Sequence, residues 1–64
     1  MIVYVANVVT DSVDRYTYVY SSAPTKAQVI ERVWLDEGEI ADLDWYMSTT
    51  SVDIFPKEVL DIIL

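Results

Sequence analysis

Residues 2–10, IVYVANVVT, constrain the fold more than any other stretch. Their β-branched and aromatic side chains suit a pleated, half-buried surface. At strand period, Ile2, Tyr4, Ala6 and Val8 share one face, and Val3, Val5, Asn7 and Val9 share the other. Both faces are apolar, which predicts a strand central in its sheet or covered on both sides. The polar DSVD (11–14) predicts a turn. RYTYVYSS (15–22) predicts a second strand, with Tyr16, Tyr18 and Tyr20 on one face and Thr17 and Val19 on the other. Two strands joined this closely form an antiparallel hairpin.

A helix start follows. Thr25, Lys26, Ala27 and Gln28 match the capping box, in which the Thr hydroxyl and the Gln side chain satisfy each other's backbone N–H groups. Ala27, Ile30, Val33 and Trp34 recur at helical spacing, and Gly38, the only glycine, is placed to end the helix. The spacing predicts a helix over 26–37. IADLDWYMST (40–49) alternates and predicts a third strand, with Ala41, Leu43, Trp45 and Met47 on one face and Ile40, Asp42, Asp44, Tyr46 and Ser48 on the other. SVDIF (51–55) predicts a short fourth strand, and Pro56 at a first helical position predicts a short helix through the apolar end of the chain. The expected fold is one small α+β domain over 1–64. An antiparallel sheet of three to four strands, in the order β-β-α-β-β, packs on one helix, with a possible short C-terminal helix.

A chain of 64 residues has a thin core, since folding at this size buries only about 60% of the unfolded surface. With no Cys and no His, disulfides and the usual zinc ligands are excluded. High apolar content (53%, mean hydropathy +0.25) and association with a partner remain as sources of stability. No basic leader and no apolar run of membrane-spanning length occurs, so the sequence reads as soluble and cytoplasmic, in the host cytoplasm if viral.

The same absences narrow the chemistry. Thiol catalysis, Ser-His-Asp triads and histidine bases are unavailable, and one glycine cannot build a phosphate loop. Asp42 and Asp44 would need a concave pocket to serve as an acid–base pair, and one sheet under one helix leaves little room for it. DEGEIADLD (36–44) also departs from the calcium-loop pattern, because its glycine stands third and none follows Asp42 or Asp44. Neither an enzyme nor a metal or cofactor is expected.

The charge is one-sided. Residues 1–32 carry three acids and three bases; residues 33–64 carry eight acids against Lys57, which accounts for the whole net charge of −7. The neutral first half argues against a uniformly acidic, salt-adapted surface. Direct nucleic-acid binding is disfavoured, because phosphates would be repelled, and a basic partner is favoured. Asp36, Glu37, Glu39, Asp42 and Asp44 crowd into nine positions. Asp36 and Glu37 fall in the last turn of the predicted helix, where the macrodipole favours cations. On a strand, Asp42 and Asp44 would project about 6.6–6.8 Å apart, close to the spacing of successive phosphates. The expectation is a ridge of these five carboxylates, with Tyr46 on the same face as a contact residue and Trp34 and Trp45 in the core.

Small size, lack of Cys and His, a pI of about 4.1, many aromatics and a one-sided acidic ridge together resemble small phage-encoded inhibitors that mimic DNA. These include anti-CRISPR proteins, anti-restriction proteins and inhibitors of uracil-DNA glycosylase. The resemblance covers composition and layout over the whole chain, through no family motif. It implies occupation of an enzyme's nucleic-acid channel, often by a dimer.

With one helix, only one sheet face can be covered, leaving the Tyr set or the Val set for a partner. Tyr4, Tyr16, Tyr18 and Tyr20 read either as an oligomer interface or as cross-strand packing with hydroxyls at the core edge. A homodimer or stable hetero-complex is expected through the open face. The leading expectation is a non-enzymatic inhibitor that fills a basic nucleic-acid-binding cleft of a host DNA- or RNA-processing or defence enzyme. The second is a small structural or adaptor subunit binding through an apolar Tyr/Val-rich sheet face, with the acids maintaining solubility.

Overall fold

The two N-terminal segments pair as expected. In a computed structural model that describes residues 1–60, β1 (Ile2–Val9) and β2 (Arg15–Tyr20) form an antiparallel hairpin. Its loop closes through Val13 N–H to Thr10 O (2.9 Å) and Thr10 N–H to Asp14 O (2.9 Å), with Thr10 Oγ1 accepting from Asp14 N–H (3.2 Å). A three-residue loop of this kind needs a left-handed residue before the second strand. Val13 occupies that position at φ 58, an unusual conformation for a β-branched side chain.

α1 (Lys26–Asp36) begins and ends on its own sequence signals. Thr25 Oγ1 accepts from Gln28 N–H at 3.1 Å, and Gln28 Oε1 accepts from Thr25 N–H at 2.9 Å, completing the capping box. At the other end, Gly38 at φ 85 donates to Leu35 O (3.1 Å) and Glu39 N–H donates to Trp34 O (2.9 Å), the paired bonds of a Schellman turn. The buried stripe is Val29, Ile30 and Val33; Ala27, expected on it, is exposed.

Beyond Gly38 the architecture departs from expectation. The segment 40–49 is not a strand: Leu43–Thr49 forms a second helix, α2, with Asp42 as its N-cap residue and Thr50 at its end. Alternation over 41–47 had concealed Leu43, Tyr46 and Met47 at helical spacing, with Asp42 and Asp44 where helix N-termini favour acids. The expected short fourth strand is the third and longer one, β3 (Ser51–Glu58). Pro56 lies within it and opens no helix. Residues 61–64 of the predicted C-terminal helix lie outside the described residues. The order is therefore β-β-α-α-β, an α+β fold with two helices rather than one.

The sheet runs β2-β1-β3, both pairings antiparallel, so β1 is central, in accord with its two apolar faces. Met1 and Val59 exchange both backbone bonds, Val59 N–H to Met1 O at 2.9 Å and the terminal amine to Val59 O at 3.3 Å. Antiparallel alternation from that pair turns the backbone of Val52, Ile54, Pro56 and Glu58 away from β1. Pro56 is tolerated because its missing N–H falls on the free side of an edge strand. Phased from Thr10 and Asp14, the same alternation turns Arg15, Thr17 and Val19 outward on the opposite edge.

Register places Tyr20, Tyr4 and Pro56 in one row across the sheet, then Tyr18, Ala6 and Ile54, then Tyr16, Val8 and Val52. This is the covered face. Ala6 and Val8 join Val29, Ile30, Val33 and Tyr46 in the core, and Tyr16, Tyr18, Tyr20, Trp34, Leu43, Val52 and Ile54 pack around them. Among the described residues no helix is long and apolar enough to cross a membrane.

Candidate functional site

The acidic stretch 36–44 spans the C-terminus of α1, the Schellman turn and the N-terminus of α2. It is a corner between two helices, so the expected strand row of carboxylates at phosphate-like spacing does not form. Asp42 is the N-cap of α2, without a side-chain capping bond, and Asp44 lies in the first turn. Residues two apart on a helix point about 200° apart. The dipole at this end favours both acids, each by about 0.3–1 kcal/mol where exposed.

Asp36 and Glu37 sit where the dipole disfavours them, and side-chain donors compensate. Glu37 receives two tyrosine hydroxyls: Tyr16 Oη donates to Oε2 at 2.6 Å and Tyr46 Oη to Oε1 at 2.5 Å. Asp36 Oδ2 accepts from Tyr18 Oη at 2.7 Å and from Arg32 Nε at 3.2 Å, one helical turn back. Bonds from phenol to carboxylate are charge-assisted and stronger than neutral ones. They leave their mark on the phenols. The bond to Glu37 pushes Tyr16 and Tyr46 up to about 12, with desolvation adding to it. Tyr18 is raised chiefly by desolvation, then by its bond to Asp36.

Several expected roles change accordingly. Tyr46, expected to flank the ridge as a contact residue, is 1% exposed and belongs to the core. Trp45, expected in the core, is 44% exposed and meets the Tyr46 ring edge-on at 5.5 Å. The exchange follows from replacing period 2 with period 3.6 over 43–49. Trp34 is half-buried and donates its indole N–H to Ala41 O at 2.6 Å, tying α1 to the residue before the α2 N-cap. Tyr16, Tyr18 and Tyr20 do not form an open oligomer surface. They pack under the helices, with rings 6.2 Å (Tyr16–Tyr18) and 6.5 Å (Tyr18–Tyr20) apart, and Tyr4 shares their face. Cross-strand packing is the reading that fits. The open face belongs to the other set: Val3, Val5, Asn7 and Val9 beside Thr17, Val19, Asp53 and Phe55.

Comparison with protein families, curated proteins and solved structures gave no match. The site therefore rests on its own chemistry. Asp36, Glu39, Asp42 and Asp44 are exposed and Glu37 is half-buried. Arg32–Asp36 is the only salt bridge among the described residues. Among those residues, no three acids converge on a point where a metal ion could sit. The arrangement can present negative charge on a fixed corner, with Asp36 and Glu37 bonded inward and Glu39, Asp42 and Asp44 free outward.

The clamp on Glu37 was not anticipated from sequence. A signal existed: acids in a last helical turn call for donors, and neighbouring strands carry tyrosines whose hydroxyls need acceptors.

Proposed function

We propose that this chain is a non-enzymatic inhibitor whose acidic corner occupies the basic nucleic-acid-binding cleft of a host enzyme. The observation that carries the reading is the set Glu39, Asp42 and Asp44, exposed and without salt-bridge partners among the described residues, on a corner held by Gly38 and the Glu37 clamp. A rigid corner of like charge meets a basic surface with little ordering cost and speeds encounter. Support comes from charge and rigidity; regular phosphate spacing no longer contributes. The test is affinity capture from host lysate with mass spectrometry, followed by competition with DNA. The triple variant Glu39→Gln/Asp42→Asn/Asp44→Asn lowers the net charge from −7 to −4 and spares the two clamped acids. Binding that competes with DNA, weakens with salt and fails in the triple variant supports the reading. Recovery of no nucleic-acid enzyme overturns it.

A second reading is favoured by the open sheet face, where Val3, Val5, Val9, Val19 and Phe55 lie opposite the helices. On that reading the chain is a structural or adaptor subunit, or a homodimer, joined through the Val face rather than the Tyr face. Phe55→Ser and Val5→Thr would then abolish assembly in sedimentation, while the triple acid variant would leave it intact.

A further inference from the structure

The two free edges of the sheet differ. β3 is blunted: Pro56 removes one outward N–H, and Lys57 and Glu58 follow it. β2 carries no proline, and its one charged residue, Arg15, stands at its start. Among the described residues the outward backbone groups of Arg15, Thr17 and Val19 meet no further strand, and Val19 is 64% exposed. Beside this edge lies a groove of about 440 Å³, between Tyr20, the segment 22–24 and the α1 side chains Glu31, Arg32 and Leu35. Leu35 is half exposed there, and Tyr20 Oη is buried without a hydrogen-bond partner among the described residues. Arg32 is committed to Asp36, whereas Glu31 has no salt bridge among the described residues.

We infer that the β2 edge accepts an extended segment of a partner protein as a fourth strand, with one lysine or arginine of that segment lying in the groove along α1. Strand addition takes its affinity from backbone bonds and its specificity from pockets that receive alternate side chains. Here the edge supplies the backbone bonds. The groove supplies an apolar wall, Tyr20 and Leu35, for the stem of a long cation, and Glu31 for its head. With Arg32 paired to Asp36, Glu31 is the groove's unpaired charge among the described residues, and a cation complements it. A second copy is a poorer occupant. Pairing β2 with β2 would bring together the Asp36–Glu37 corners that Tyr16 and Tyr18 hold above that strand, with like charge on both sides. The groove lining does not include Glu39, Asp42 or Asp44, and the inference stands whether or not those acids bind an enzyme.

The test selects a displayed library of random heptapeptides against the isotope-labelled chain and maps the selected peptides by amide hydrogen exchange. Enriched peptides should carry a Lys or Arg flanked by β-branched residues and should slow exchange at Arg15, Thr17 and Val19. Glu31→Gln, an exposed change that leaves the fold intact, should weaken them about fivefold. Val19→Pro, which removes one outward N–H, should weaken them at least about tenfold. The inference is overturned by failure to enrich any peptide or by enriched peptides without a basic residue. Protection confined to Val52 and Ile54, or self-association through β2 in the unliganded chain, also overturns it.

Discussion

Tyr16 and Tyr46, one on an edge strand and one on a helix, donate their hydroxyls to the two oxygens of a single carboxylate, Glu37. That junction ties β2, the end of α1 and α2 together at one corner, and it explains an acid at the wrong end of a helix dipole. Removing the carboxylate strands a buried phenol on Tyr46. Glu37→Ala should lower the melting temperature by roughly 10 °C, from the usual cost of lost charge-assisted bonds in a domain this small. Tyr46→Phe should cost less, because Glu37 keeps Tyr16. Thermal melts followed by near-ultraviolet circular dichroism compare the two, and a smaller loss for Glu37→Ala would contradict the clamp.

The same junction sets an alkaline limit. Tyr16 and Tyr46 stand at about 12 in the folded chain against an ordinary value of 10. Both are raised, so their contribution to stability is complete below pH 10 and is lost as pH rises from 10 through 12. Urea midpoints should be flat up to about pH 9.5 and fall steeply above pH 10. In Glu37→Gln that alkaline decline should be shallower.

Val13 carries local strain. A β-branched residue in the left-handed region costs about 1–2 kcal/mol, and Val13 is 77% exposed, so burial offers little in return. Val13→Gly relieves the strain at an entropic cost of about 0.5–1 kcal/mol. The net gain should be about 0.5–1 kcal/mol, read as a higher urea midpoint with unchanged m-value. A lower midpoint would mean that Val13 makes a contact worth more than its strain.

Pro56 guards an edge. Pro56→Val restores the outward N–H and raises strand propensity, so monomer stability should change little while association rises. Light scattering of the variant at raised concentration should show faster aggregation than the parent, and sedimentation should show larger species.

The hairpin was legible because both segments carry strand residues at strand period with a polar turn between them. α1 was legible because its capping box, apolar spacing and Gly38 agree over one segment. The segment 40–49 was not, because seven residues are two helical turns and fit either period. Asp42 and Asp44 read as a strand row when their neighbours are counted by twos, and as an N-cap and first-turn acid when counted by helical turns. The choice lies in contacts remote in sequence: Tyr46 reaches Glu37 and fills the space against Val8 and Val33 only from a helix.

Composition and order alone determined that chemistry needing Cys or His is closed to this chain, that its charge lies in the second half, and that a valine-rich strand with two apolar faces opens the sheet. These are local or summed properties, readable without knowing what touches what. Which sheet face the helices cover, which aromatic goes inward, and which acids stay free were decided by packing. On the tyrosine face Tyr16 and Tyr18 donate their hydroxyls to Glu37 and Asp36 at the end of α1 and their rings pack against the core, leaving the valine face and the outer carboxylates to whatever the protein meets.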